Sequence, residues 1–297
     1  MSQLSSQKYT STAEINDVEL VKKLQQAQKK ILVELDRVCH DLNLAYCLAF
    51  GSSLGAIRHQ GFIPWDDDID VYMRIEDLEL LQKNSKMFGK DYFLQCHESD
   101  PEFGLMITRL RDSSTTLIEE NEKDRDINHG IFIDIYPLFN TPQKGWGAKK
   151  LVIASMVYRL MLYGVVPKNR GLIMKIGSSI LLKTIPRTMR QRLIQCNYRV
   201  MKSSSNTGYI SSLYGDEANI RYPADWFFPT QKVPFEDIVV PVEAKPDKYL
   251  KMTYGDYMEL PPPEKRFFHH SYVCVDFDQS FMHYKGIKYC IERDTAE

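Results

Sequence analysis

Four aspartates fall within five residues, Asp66, Asp67, Asp68 and Asp70, in the run Pro64-Trp65-Asp66-Asp67-Asp68-Ile69-Asp70-Val71. Ile69 and Val71 flank Asp70 with apolar side chains, an alternation that predicts a strand over 68–73 with Asp68 and Asp70 on one face. Two carboxylates held side by side repel each other. A hard cation such as Mg²⁺ relieves that repulsion by taking an oxygen from each. A third acid, Asp134, interrupts the apolar run Gly130-Ile131-Phe132-Ile133-Asp134-Ile135-Tyr136-Pro137. A lone carboxyl in a central strand is costly, and a solvated strand end would be the bland explanation. The three acids are easier to explain together, with Asp134 facing Asp68 and Asp70 from a neighbouring strand. Gly51-Ser52 lies upstream, after the apolar stretch 44–50. A turn there presents backbone N–H groups to a phosphate. Carboxylate-held metals beside a phosphate cradle are what in-line phosphoryl transfer needs.

The elements that must position these groups can be read from periodicity. Val21, Leu24, Ala27, Ile31, Leu32, Leu35 and Val38 form one apolar stripe and predict a helix over 17–42, with Asp17 as its cap and Glu19 in its first turn. The stretch 44–50 reads as a short buried strand, 54–58 as one or two helical turns, 60–65 as a loop and 75–88 as a helix. Strands are expected at 92–96 and 105–111, and through the Asp134 run. Residues 144–202 read as helical, broken at Pro167 and Pro186. The C-terminal third, rich in Tyr and Pro, predicts strands and short helical pieces. Residues 1–16 are expected to be a flexible tail.

The bulk composition narrows the class. Hydrophobic residues make up 43% of the 297 and charged residues 26%, ordinary for a soluble globular chain. The net charge is −1, yet 144–202 holds 13 Lys or Arg and no acid, which leaves −14 on the rest of the chain. The overall balance gives no reason to bind nucleic acid, whereas the basic block points to an anionic partner. Cys39, Cys47, Cys96, Cys196, Cys274 and Cys290 show no CxxC spacing and read as free thiols of a reducing compartment. His269-His270 near Cys274 lacks a second ligand pair for zinc. The polar N-terminus has no apolar core of a signal peptide, and the apolar run 151–166, interrupted by Arg159, is short for a membrane span. The cytoplasm, at or near the inner face of the plasma membrane, is the expected location.

The order of motifs, a Gly-Ser turn after a strand, then Asp-Ile-Asp, then one Asp on a later strand, resembles the nucleotidyltransferase-fold active site. The run Phe50 to Tyr72, FGSSLGAIRHQGFIPWDDDIDVY, resembles the signature of the LicD family. Those are phosphocholine transferases of bacterial surface glycans, distantly related to fukutin-type ribitol-phosphate transferases. The resemblance recurs at Ile133-Asp134-Ile135-Tyr136-Pro137-Leu138 and at 254–262, YGDYMELPP. It covers most of 30–142 and much of 205–270, and least of all the basic block. Ser52-Ser53 stands where the family often has Thr-Leu; no motif acid is lost, so the chain reads as active.

The resemblance implies an α+β fold: a nucleotidyltransferase-like mixed sheet core over 17–143, a basic helical insertion over 144–204, and 205–297 completing the same catalytic unit. It implies a CDP-activated alcohol as donor, often CDP-choline, a glycan or lipid-linked glycan hydroxyl as acceptor, and CMP as leaving group. Asp68, Asp70 and Asp134 would hold Mg²⁺, or Mn²⁺ in its place, and would be catalytic. Gly51, Ser52 and Ser53 would cradle the diphosphate, with Asp66 and Asp67 in supporting roles. Arg58 and His59 lie between the turn and the acids, within reach of a diphosphate, although His59 is equally explained as packing on Trp65. Arg109 and Arg111 share a strand face and could neutralise phosphates, or form a solvated pair. A quaternary ammonium has no hydrogen-bond donor and binds aromatic faces, for which Trp226, Phe227, Tyr249, Tyr254 and Tyr257 are candidates. Asp256 could contact a polar head or the acceptor. The basic block reads as a solvated subdomain or as an amphipathic surface for an anionic leaflet. Three rivals stay open: a glycerol- or ribitol-phosphate donor, a non-catalytic protein of anionic membranes, and a Ca²⁺ loop starting at Asp66. The last is disfavoured because Val71 and Asp77 stand where an EF-hand needs Gly and Glu.

Overall fold

The computed structural model describes residues 18–165, 172–266 and 270–291. The expected tail, the Asp17 cap, the Pro167 break and His269 lie outside the described residues. The helices are α1 (Val18–Leu42), α2 (Phe50–His59), α3 (Ile75–Lys83), α4 (Trp146–Tyr163), α5 (Leu172–Thr184), α6 (Arg187–Lys202) and α7 (Pro246–Tyr254). The strands are β1 (Tyr46–Leu48), β2 (Asp70–Arg74), β3 (Tyr92–Gln95), β4 (Thr108–Asp112), β5 (Thr116–Glu119), β6 (Ile131–Asn140), β7 (Tyr209–Ser211), β8 (Tyr222–Pro223), β9 (Gln231–Phe235), β10 (Ile238–Val242) and β11 (Tyr272–Asp276).

The main sheet runs β1-β2-β6-β4-β3, with β7 joined to the far end of β6 and β8 to β7. β2 and β6 run parallel, and β1 and β4 flank them antiparallel. The result is an α+β fold with a mixed sheet. Alternation along the central strands sorts the side chains. Val71, Met73, Ile133, Ile135 and Leu110 join the core built on the apolar stripe of α1, including Ile31, Leu35 and Val38. Asp70 and Asp134 belong to the opposite alternation. Tyr72 belongs to a second apolar cluster with Cys47, Leu54, Ile63, Tyr222, Phe227, Tyr249 and Leu250.

Several boundaries differ from the sequence expectations. β2 begins at Asp70, so Asp68 sits in the preceding loop and not on the strand. β4 starts three residues later than expected, and the predicted helix over 75–88 ends at Lys83, followed by a separate 3-10 turn. β5 was not anticipated; it pairs with β11, about 150 residues downstream, a partner no local pattern reveals. Pro186 does break the basic block, as the residue before α6. All six cysteines are free thiols.

Candidate active site

The Gly-Ser segment is the first turn of a helix and not an isolated loop turn. β1 ends, Ala49 remains extended, and Phe50 adopts a left-handed φ of 45°, which turns the chain abruptly into α2. That φ is costly for a bulky residue. It is held by the Phe50 N–H, which donates to Tyr249 Oη at 3.1 Å, and by its ring, 5.1 Å from both Tyr72 and Tyr136. Gly51 and Ser52 therefore occupy the helix N-terminus, where N–H groups lack partners four residues back and favour an anion.

The acids converge in front of that helix. Asp70 and Asp134 are direct partners in the β2–β6 register, so their Cα atoms lie about 4.8 Å apart. The Asp66 carboxylate is packed on Gly51 so closely that a Cβ there would stand 2.5 Å from Asp66 Oδ2. Any other residue at 51 would displace this acid. Burial, and then the charges of Asp68 and Asp67, push Asp66 well above the usual carboxylate range. Burial lifts Asp68 to about 6, with His270 opposing and Asp67 and Asp134 adding to the rise. Burial, followed by Asp68, Asp134 and Asp66, pushes Asp70 well up. Asp66, Asp68 and Asp70 thus crowd one partly dry pocket in which burial and like charge disfavour their ionised forms.

Two groups brace this pocket. Asp134 Oδ1 accepts from Arg109 Nε at 2.8 Å, and Arg109 Nη1 also reaches Glu119 at 2.8 Å and Glu122 at 2.9 Å while stacking on Phe132, 3.8 Å from the ring centre. Asp67 is buried; its Oδ2 accepts from Tyr272 Oη at 2.8 Å and its Oδ1 pairs with His270 Nδ1 at 3.1 Å. Burial opposes charge on both partners, yet their mutual bond lowers Asp67 and, with Asp68, raises His270 to about 9. Among the described residues, Asp67, Asp68 and His270 offer metal-ligand atoms all within 4.8 Å of one another.

The other expected contacts divide sharply. Ser52 is buried and its Oγ accepts the Asp70 N–H at 2.9 Å, tying helix to strand. Ser53 is fully buried and donates to Glu243 Oε2 at 2.7 Å, so its hydroxyl does not face a phosphate. Arg58 grips the Tyr257 carbonyl at 2.7 Å and the Glu259 carbonyl at 3.3 Å, locking α2 to the 254–262 segment. His59 accepts from Arg58 Nε at 3.0 Å and meets Trp65 edge-on at 6.3 Å, the packing role. Arg111 is corrected: it is completely buried and bonded to Gln95, Gly130 and Glu122, so it offers nothing to a nucleotide, nor is it solvated. Burial and the neighbouring Arg109 lower it to about 10.

The aromatic cage is also corrected. Phe227 and Tyr249 are completely buried among Tyr72 and Tyr222, with no face left for a ligand. Tyr257 is buried and its hydroxyl donates to Asp247 at 3.1 Å. The Trp226 ring already carries Lys248 Nζ 5.9 Å from its centre. Tyr254 stands apart from these: it is 41% exposed, while Asp66, Asp70 and Asp68, after burial, raise its hydroxyl pKa. Asp256 lies in an exposed turn beyond α7. Sequence reasoning missed Tyr136, half-buried and sensing Asp70 and Asp134, with Tyr214 5.5 Å away. Its spacing of two from Asp134 was the available signal. A cavity of about 690 Å³ between α3, α6 and the 94–108 segment has none of these acids in its lining.

A helix N-terminus thus faces opposed strand aspartates. Residues 43–152 match the family described as LicD/FKTN/FKRP, nucleotidyltransferase domain. The chain is 27% identical over 259 residues to the lipopolysaccharide cholinephosphotransferase LicD of Haemophilus influenzae, covering 81% of this chain and 92% of that protein. Shorter likenesses, 42% over 71 residues and 41% over 63, join it to uncharacterized proteins of Rickettsia prowazekii and Rickettsia typhi; they span 22% and 19% of this chain and 27% and 20% of those proteins.

Proposed function

We propose that the protein transfers phosphocholine, or a similar phospho-alcohol, from a CDP-activated donor to a hydroxyl of a cell-surface glycan or its lipid-linked precursor, releasing CMP. The observation that carries this reading is the opposition of Asp70 and Asp134 across the parallel pair, with Asp68 and Asp66 crowded beside them. Their donor atoms are carboxylate oxygens, the ligands that suit Mg²⁺ or Mn²⁺, and burial with mutual repulsion disfavours the uncompensated charges of Asp66, Asp68 and Asp70. Asp68, Asp70 and Asp134 would hold the cation, which supplies neutralisation of the diphosphate oxygens.

The chain's own groups do the remaining work. The N–H groups of Gly51 and Ser52 face the donor phosphates. Arg109 fixes one oxygen of Asp134 and so orients the other. The acceptor oxygen attacks the phosphorus that bears the alcohol, the bond from that phosphorus to the CMP oxygen breaks, and the hydroxyl proton passes to a carboxylate of the cluster. Tyr254 and Tyr136, both beside the acids, offer aromatic faces to a quaternary ammonium. CMP release from CDP-choline in the presence of a glycan acceptor tests this. Faster release from CDP-glycerol or CDP-ribitol would replace the donor assigned here, and no release from any of them would refute transfer.

The basic block supports a membrane-peripheral setting at an anionic inner leaflet. Trp146, Lys149, Lys150 and Ile153 are exposed along one face of α4, with Trp146 85% exposed. Arg159 is turned inward, 5.8 Å from the Tyr214 ring, and is not part of that face. Among the described residues no helix is long and apolar enough to cross a membrane. Flotation with phosphatidylglycerol vesicles should be lost in K149E/K150E; retained flotation contradicts this docking face.

A further inference from the structure

The carboxylate cluster as described gives no task to the Asp67–His270 pair. We propose that His270, through Nε2, is a ligand of a divalent cation that it shares with Asp68, and that Asp67 is the positioning residue that aims it. This rests on the metal-assisted reading above and specifies its cation further.

The geometry fixes the tautomer. His270 Nδ1 lies 3.1 Å from Asp67 Oδ1, so Nδ1 carries the hydrogen of that bond. Nε2 is then the outward nitrogen, and it faces Asp68 Oδ2 at 3.8 Å. Two ligands bound at about 2.1 Å to one ion stand about 3–4 Å apart, so this pair already has the spacing of neighbours on a cation. Asp67 is assigned the positioning role because each of its oxygens already accepts a hydrogen bond, one from His270 and one from Tyr272 Oη at 2.8 Å. Its main chain is pinned as well: Gln28 Nε2 donates to the Asp67 carbonyl at 2.9 Å. The His270 ring is stacked on Tyr272, 6.1 Å between centres and 26° between planes. A buried carboxylate that orients an imidazole toward an ion is the usual outer shell of a metal-bound histidine.

An imidazole among carboxylates favours Fe²⁺, Co²⁺ or Zn²⁺ over Mg²⁺, with Mn²⁺ the weakest of the transition ions there. The cation class is therefore a borderline transition ion. His59 does not compete for this role, since its Nε2 accepts from Arg58 Nε at 3.0 Å.

Mn²⁺ titration of the full chain, followed by electron paramagnetic resonance with pulsed detection of directly bound ¹⁴N, tests this without any turnover. The expected result is nitrogen modulation in the parent protein, its loss in H270Q, and Mn²⁺ affinity about 10–100-fold weaker in both H270Q and D67N. His270 is partly exposed, so H270Q should fold; if it does not, D67N and the parent spectrum still decide. Bound Mn²⁺ without nitrogen modulation overturns the His270 assignment and leaves the carboxylate reading intact. Failure of the parent protein to bind Mn²⁺ or Mg²⁺ at all overturns both.

Discussion

Glu243→Gln should make the protein more stable at pH 8 than the parent, and less sensitive to pH. Glu243 lies immediately after β10, fully buried, with Oε2 held by Ser53 and Oε1 without a hydrogen-bond partner among the described residues. Burial lifts its pKa from 4.5 to about 8, against the opposing bond from Ser53. The folded protein therefore keeps the proton that the unfolded chain gives up above pH 4.5. Stability from this group is complete below pH 4.5 and is lost as pH rises toward 8. Each pH unit in that window costs about 1.4 kcal/mol, or about 5 kcal/mol in all. Gln is neutral throughout and can still accept from Ser53. Urea unfolding at pH 5, 6, 7 and 8 should show the gap between variant and parent widening in favour of the variant by about 1.4 kcal/mol per unit. Parallel pH profiles would refute a neutral Glu243 beneath α2.

R109A strands Glu119, Glu122 and Asp134 without their shared cation and should cost about 3–5 kcal/mol in urea unfolding; R109K retains the charge but cannot span all three acids, and should fall between. Gly51→Ala places a Cβ 2.5 Å from Asp66 Oδ2, so kcat should fall by about 100-fold with an unchanged circular dichroism spectrum; normal turnover would show that Asp66 need not sit there. Phe227→Ala should cost about 3–5 kcal/mol of stability, whereas Tyr254→Ala should leave the melting temperature intact and raise KM for CDP-choline about 5–10-fold.

Much of this was legible in the residues. The stripe of α1 is regular enough to place the helix within a residue, and the alternation around Asp70 and Asp134 put both acids toward each other. What escaped reading depends on partners far along the chain. Asp67 looked like a spare acid until His270 and Tyr272, about 200 residues away, filled its oxygens. Arg109 and Arg111 have the composition of phosphate ligands, and only the burial of Glu119 and Glu122 beside them shows where their charge is spent. Phe227 and Tyr249 were plausible cage members because composition does not distinguish a packed aromatic face from an open one. The Gly-Ser segment was expected as a turn because a left-handed Phe50, braced by Tyr249, has no local signature.

The most direct test of metal-assisted transfer at the Asp70–Asp134 pair is CMP release from CDP-choline, measured with and without Mg²⁺ or Mn²⁺, for the parent protein and for the folded variants Asp70→Asn and Asp134→Asn. Release that requires the cation and falls by at least about 1,000-fold in each variant is the expected result. Undiminished release in EDTA, or from either variant, would contradict it.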